Sequence, residues 1–113
     1  MENIAAKTTT FNGTAFDALN YEGIAQIAQY VGVVSGTTPT LDAKIQESDT
    51  SGGTYTDIAG ATFTQVTATN NLQTIKIDVS AAKRFLRYVG TIGGTTPSFT
   101  MGVAFNGVKK YRP

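Results

Sequence analysis

Residues 30–45 read YVGVVSGTTPTLDAKI, and residues 88–103 read YVGTIGGTTPSFTMGV. The Tyr-Val-Gly and Gly-Thr-Thr-Pro blocks recur at a constant offset of 58 residues, so one unit occurs twice. Each copy is an apolar segment, a loop and a second apolar segment, which reads as a β-hairpin with a five-residue connection. Proline fixes its own φ, lacks a donor and pushes the preceding Thr into an extended conformation, so Pro39 and Pro97 belong where the returning strands begin. Two equivalent hairpins over 24–47 and 84–106, with tips of the same shape, are the expectation.

Working outward from these blocks, a period of two assigns faces. Leu41, Ala43 and Ile45 alternate with Thr40, Asp42, Lys44 and Gln46, and Ile75, Ile77 and Val79 alternate with Lys76 and Asp78. Phe99, Met101, Val103 and Phe105 do the same against Thr100, Gly102, Ala104 and Asn106. Leu86, Tyr88 and Ile92 face inward while Arg87 and Thr91 face outward, and the repeat places Tyr30 inward beside Tyr88. The core predicted from this pattern is Leu41, Ile45, Ile75, Ile77, Leu86, Phe99, Met101 and Val103. Shorter strands fall near 55–58 and 62–66, and Ser80 to Arg84 is long enough for a single turn. No segment holds helical periodicity with caps. The class is all-β, and a sheet with one apolar face needs cover, so a small antiparallel β-sandwich or jelly roll over 21–113 is expected.

Residues 1–20 stand apart. Thr8-Thr9-Thr10, the turn pair Asn12-Gly13 and the isolated aromatics Phe11 and Phe16 have the composition of an extended N-terminal arm. Neither aromatic has neighbours of either period, so both are expected to lie outside any sheet and to anchor the arm on a neighbouring subunit, adding little to the isolated fold.

Composition narrows the function. The chain has 113 residues, no Cys, no His and no Trp, with 19 Thr, 12 Gly and 15% charged residues. One domain is the expectation, and disulfide scaffolds, thiolate nucleophiles, imidazole bases and the usual zinc ligand sets are excluded. No Ser sits in a GxSxG elbow or an SxxK pair, and the Gly-Thr-Thr-Pro loops lack the Lys and helix of a phosphate loop. Asp49 and Asp57 flank the Gly52-Gly53 turn without the spacing of a calcium loop. We therefore expect no enzyme activity, no metal and no cofactor. Tyr55 and Tyr111 are the tyrosines left over as platforms for a sugar ring. The opening Met1-Glu2-Asn3-Ile4 has no basic or apolar leader, which points to folding in a cytoplasm.

The net charge of +1 is a cancellation, since residues 1–75 carry −5 and residues 76–113 carry +6. Lys83, Arg84 and Arg87 form one basic cluster, and Lys109, Lys110 and Arg112 form another. Both fall short of a nucleic-acid stripe, and no apolar run is long enough to span a membrane. The expected partner interface is Phe11, Phe16, Lys109, Lys110 and Arg112, the bases steering the chain toward an acidic surface.

From Ile24 to Val103 the chain resembles small structural proteins of tailed bacteriophages, the head decoration or cement proteins. The likeness rests on KIQES at 44–48, TDIAGATFT at 56–64, KRFLR at 83–87 and TIGGTTPSF at 91–99. It implies a non-enzymatic virion component made in the host cytoplasm that binds the major capsid protein and stabilises the capsid surface. It also implies a homo-oligomer, a trimer among the arrangements, with terminal arms on neighbours and no nucleic acid or membrane. Two other readings fit the residues: a phage tail, spike-base or receptor-binding component, and a small carbohydrate-binding or adhesion module.

Overall fold

The computed structural model describes residues 2–109, with side chains from residue 4 onward. Among them every regular element is a strand: β1 Glu2–Lys7, β2 Phe11–Asn12, β3 Phe16–Asp17, β4 Tyr21–Ser48, β5 Thr56–Thr62, β6 Asn71–Asp78 and β7 Phe85–Lys109. They form one antiparallel seven-stranded sheet in the order β1-β7-β4-β5, with β2 and β3 also on β7 and β6 on β4. The all-β expectation holds.

The hairpins do not form. Each repeat copy is the middle of one long strand, and the two strands run antiparallel to each other from Tyr21↔Lys109 to Ser48↔Phe85. The arms of one copy have no edge left for each other: Val31 is taken by Asn71 and Met101, and Leu41 by Val66 and Ile92. Sequence pattern shows which segments extend but not which extended segment each will choose as partner, and here each copy chose the other.

A straight strand of 28 residues would run about 90 Å, yet the longest dimension of the molecule is 52 Å. Both strands bend at Gly-Thr-Thr-Pro. Gly36 has φ 110° and Gly94 φ 109°, and Thr38 and Thr96 enter the left-handed region at 48° and 46°. The loops are therefore alike, as expected from their residues, and they cross. A Cβ on Gly36 would lie 2.7 Å from the Thr96 carbonyl oxygen, and one on Gly94 2.6 Å from that of Thr38. With Thr37 opposite Thr95, the crossing has approximate two-fold symmetry.

The bend divides the sheet. Half A contains β6, the first part of β4, the last part of β7 and β1; half B contains β5, the last part of β4, the first part of β7, β2 and β3. Their inner faces share one core, in which Ile27, Val31, Ile77, Phe99, Met101 and Val103 of half A join Leu41, Ile45, Leu86 and Tyr88 of half B. Tyr88 lies opposite Ile45, while Gln29 lies opposite Val103. Fifteen residues of β7 separate those positions, about 50 Å along a straight strand, yet the Tyr88 hydroxyl donates to Gln29 Oε1 at 2.5 Å. Only a sheet folded over at the crossing brings the two together. Of the predicted core, Ile75 is half-buried at its edge and the other seven are buried.

One inward assignment is reversed. Tyr30 is 44% exposed and Tyr88 0%. Val31 pairs with Met101 but Val34 pairs with Phe99, so three steps on β4 match two on β7 and the extra residue forms a β-bulge at Gly32-Val33. Asn70 N–H donates to the Gly32 carbonyl at 2.8 Å and Val34 N–H to Thr69 Oγ1 at 3.1 Å, fixing the bulge from the loop before β6. A slip of one residue turns every side chain upstream to the other face. Ala25, Ile27, Gln29 and Val31 therefore point in, and Ile24, Gln26, Ala28 and Tyr30 point out.

Candidate functional site

The residues singled out in the N-terminal segment lie within the sheet, contrary to expectation. Phe11 pairs with Gly90 on β7, and its ring lies 5.7 Å from that of Tyr88, with Lys7 Nζ 4.6 Å from the ring centre. Gly90 is what admits it, because a Cβ there would come 2.7 Å from the Phe11 ring. Phe16 pairs with Leu86 and closes the end of the fold opposite the crossing, its ring 4.2 Å from Phe105 and 5.6 Å from Tyr21. Both aromatics are half-buried against the chain's own core. Their strand partners on β7 are about 70 to 80 positions away in sequence, so no local periodicity could have placed them.

Lys109 is exposed at the end of β7 opposite Tyr21, near Phe16 but on the other half from Phe11. Lys110, Arg112 and Tyr111 lie outside the described residues. Phe11, Phe16 and Lys109 are thus not brought together as one surface.

Among the described residues β1, β2 and β3 pair with no strand other than β7, and the segment ends in a clasp. Arg84 donates from Nε to Asp17 Oδ1 at 3.0 Å and from Nη2 to Oδ2 at 2.7 Å. These two bonds, with one from Leu19 N–H, hold the Asp17 carboxyl below its ordinary range. Among the described residues β1 is the last strand on its side of the sheet.

The two outer faces differ in chemistry. On half B, Asp57 accepts from Gln46 Nε2 at 2.8 Å and from Lys44 Nζ at 3.1 Å, and the Gln46 bond followed by the Lys44 bond keeps its carboxyl low. Arg87 donates to Gln46 Oε1 at 2.9 Å and covers the Tyr55 ring at 4.3 Å. That guanidinium occupies the face a sugar would need. Asp49 lies 3.9 Å from Lys83, so Asp49 and Asp57 answer to different bases. No group of three or more carboxylates that could hold a metal occurs among the described residues.

On half A the outer face carries a row across four strands: Leu72 on β6, Tyr30 on β4, Gly102 on β7 and Ile4 in the bulge of β1. Leu72 is 69% exposed and Ile4 68%. Ala28 and Ala104 lie in the next row opposite Thr74. A shallow hollow opens over Gly102, lined by Ile4, Ala28, Tyr30, Val103 and Ala104. On β6 the nearest charged outward positions, Lys76 and Asp78, lie two and three rows away, opposite Gln26 and Ile24, while Glu2 pairs with Val103 beside the bulge. This row is the feature the sequence reading missed, because it depends on the bulge that turns Tyr30 outward.

The described surfaces thus differ: one is apolar with a shallow hollow, one is a polar network, and one is the last strand of the sheet. No protein-family model matches the chain, and none of the curated proteins matches it in sequence.

Proposed function

We propose that the chain is a non-enzymatic structural subunit of a tailed-phage virion, a decoration or cement protein that binds the major capsid protein and stabilises the shell. The observation that carries this reading is the N-terminal segment. Its strands β1, β2 and β3 pair only with β7, and among the described residues β1 is the last strand on its side of the sheet. Such an edge extends a sheet into a neighbour through main-chain hydrogen bonds, a mode of contact suited to a subunit that must grip a lattice. The resemblance over 24–103 points the same way. Binding only to the assembled shell stabilises that shell by mass action.

The test is to mix the full chain with purified tailed-phage capsids that lack their decoration protein. Saturable occupancy at a fixed number per capsomer, with a raised temperature of capsid disruption, is the expected result. Absence of capsid binding together with retention on bacterial surface glycans would transfer the chain to the receptor-binding or carbohydrate-binding reading.

A further inference from the structure

We propose that the outer face of half A is the contact surface for a second copy of this chain, in an isologous pair whose two-fold axis runs along β4. This goes beyond the capsid reading and does not depend on it.

Three observations favour a second copy as the occupant. The first is the order of the row, with Leu72 one strand to one side of Tyr30 and the hollow over Gly102 one strand to the other. Neighbouring strands are spaced evenly at about 4.8 Å. Rotation about an axis through Tyr30, parallel to β4 and in the plane of contact, therefore carries Leu72 of each copy over Gly102 of the other. Each Leu72 enters the hollow between Ile4 and Tyr30 of its partner, and the two Tyr30 rings meet on the axis. A projection and a recess at equal distances from one line make a surface complementary to itself, which is what an isologous contact requires.

The second is charge. A charged side chain near a two-fold axis meets its own like, and this face has none at its centre: Leu72, Thr74, Ala28, Tyr30, Gly102, Ala104 and Ile4 are all uncharged. The third is size. Four strands over the length of the β4–β6 ladder project roughly 500–600 Å², before counting the relief of the side chains. A standard interface buries about 800 Å² per partner, so the face is of the right order for a modest dimer. Sheets stacked face to face at about 10 Å interdigitate their side chains in this way.

The experiment uses the full chain in sedimentation velocity and equilibrium, up to roughly 1 mM. The expected mass is twice 11.9 kDa, with dissociation at low concentration. Leu72→Lys drives a charge into the hollow, and Ala104→Asp places one on its wall. Each alone should weaken association at least ~30-fold, the loss of one central anchor, while the thermal unfolding of the dilute monomer stays unchanged. Mixing the two variants pairs Lys with Asp across one junction and should restore a heterodimer. A wild type that stays monomeric at the highest concentration, variants that remain dimeric, or a mixture that fails to associate each overturns the proposal. Should the chain prove monomeric and Leu72→Lys instead abolish capsid occupancy, the face belongs to the capsid.

Discussion

The two copies of the repeat share Tyr-Val-Gly and Gly-Thr-Thr-Pro at one spacing, yet Tyr88 is sealed in the core and Tyr30 lies on the outside. Their loops agree to within a few degrees at Gly36 and Gly94 and at Thr38 and Thr96. Beyond the loops the copies also agree, Leu41, Ala43 and Ile45 facing in like Phe99, Met101 and Val103. They part only before the loop, at the bulge that Gly32-Val33 carries and Gly90-Thr91 does not. Residue type dictated the turn because glycine and proline restrict φ directly. The face that each strand presents follows from register, a property of the pairing and not of the residue.

The largest effect that tests this contrast comes from truncating the two tyrosines in parallel. Tyr88→Ala removes a fully buried ring that packs on Phe11 and Phe63, and should cost about 3–5 kcal/mol in denaturant unfolding, as large aromatic-to-Ala core changes do. Tyr30→Ala should stay within about 1 kcal/mol in the monomer. Equal losses would mean that the bulge does not separate the copies.

Where the copies agree, the substitutions should agree too. Gly36→Ala and Gly94→Ala each force an L side chain to a φ near 110° and press a methyl group against the other loop's carbonyl oxygen. Each should lose about 1–3 kcal/mol, the scale of strained backbone and overpacking, and the two values should match within error. A large asymmetry in chemical denaturation would break the symmetry of the crossing.

The pair that joins the two halves offers a smaller, two-sided test. Gln29 is wholly buried, accepting from Tyr88 through Oε1 while its Nε2 finds no partner. Tyr88→Phe strands the Oε1 as well, costing about 1–3 kcal/mol. Adding Gln29→Leu removes the polar group altogether and should recover most of that loss, because an apolar pair of similar shape leaves nothing unsatisfied. A double-mutant cycle reads the coupling directly; additive losses would mean the bond contributes nothing to holding the halves together.

Much of the fold is legible in the sequence, and the limits are physical. Alternation placed Leu41, Ile45, Ile77, Leu86, Phe99, Met101 and Val103 in the core because each strand buries one face. It could not see the bulge, since both copies have the same length between Tyr and Pro and the segment 24–31 has apolar residues on both faces. A buried Gln29 beside an exposed Tyr30 inverts the usual preference, and only the pairing with β6 and β7 decides it. Nor could it show that each copy would seek the other instead of folding back. Phe11 and Phe16 illustrate the same point for the candidate site: they look unpartnered in the chain and gain their partners from β7.

The smallest expected effect concerns the edges that flank the two copies. The second copy is bordered by β3, clasped by Arg84 and Asp17, whereas the position equivalent to Arg84 before the first copy is Gln26, which meets Lys76 and Asn106 across the sheet. The Asp17 carboxyl is held below its ordinary value of 3.8 chiefly by the Arg84 hydrogen bonds. A carboxylate whose pKa is lower folded than unfolded contributes its stability above the unfolded value and loses it as pH falls through the folded one. Protonation below 3.8 should therefore loosen β3 before β6. The pair is exposed, so the change in global stability is slight and local opening is the better readout. The amide of Ala18, which donates to the Arg84 backbone carbonyl oxygen, should lose hydrogen-exchange protection, measured against its intrinsic rate, on acidification, while the Val79 amide, bonded to the Gly23 carbonyl oxygen beside the first copy, should not. In Asp17→Asn the Ala18 protection factor should already be low at neutral pH and change little further in acid. If Ala18 keeps its wild-type protection in that variant, the clasp does not hold the segment, and the N-terminal strands stay on β7 through the packing of Phe11 and Phe16 alone.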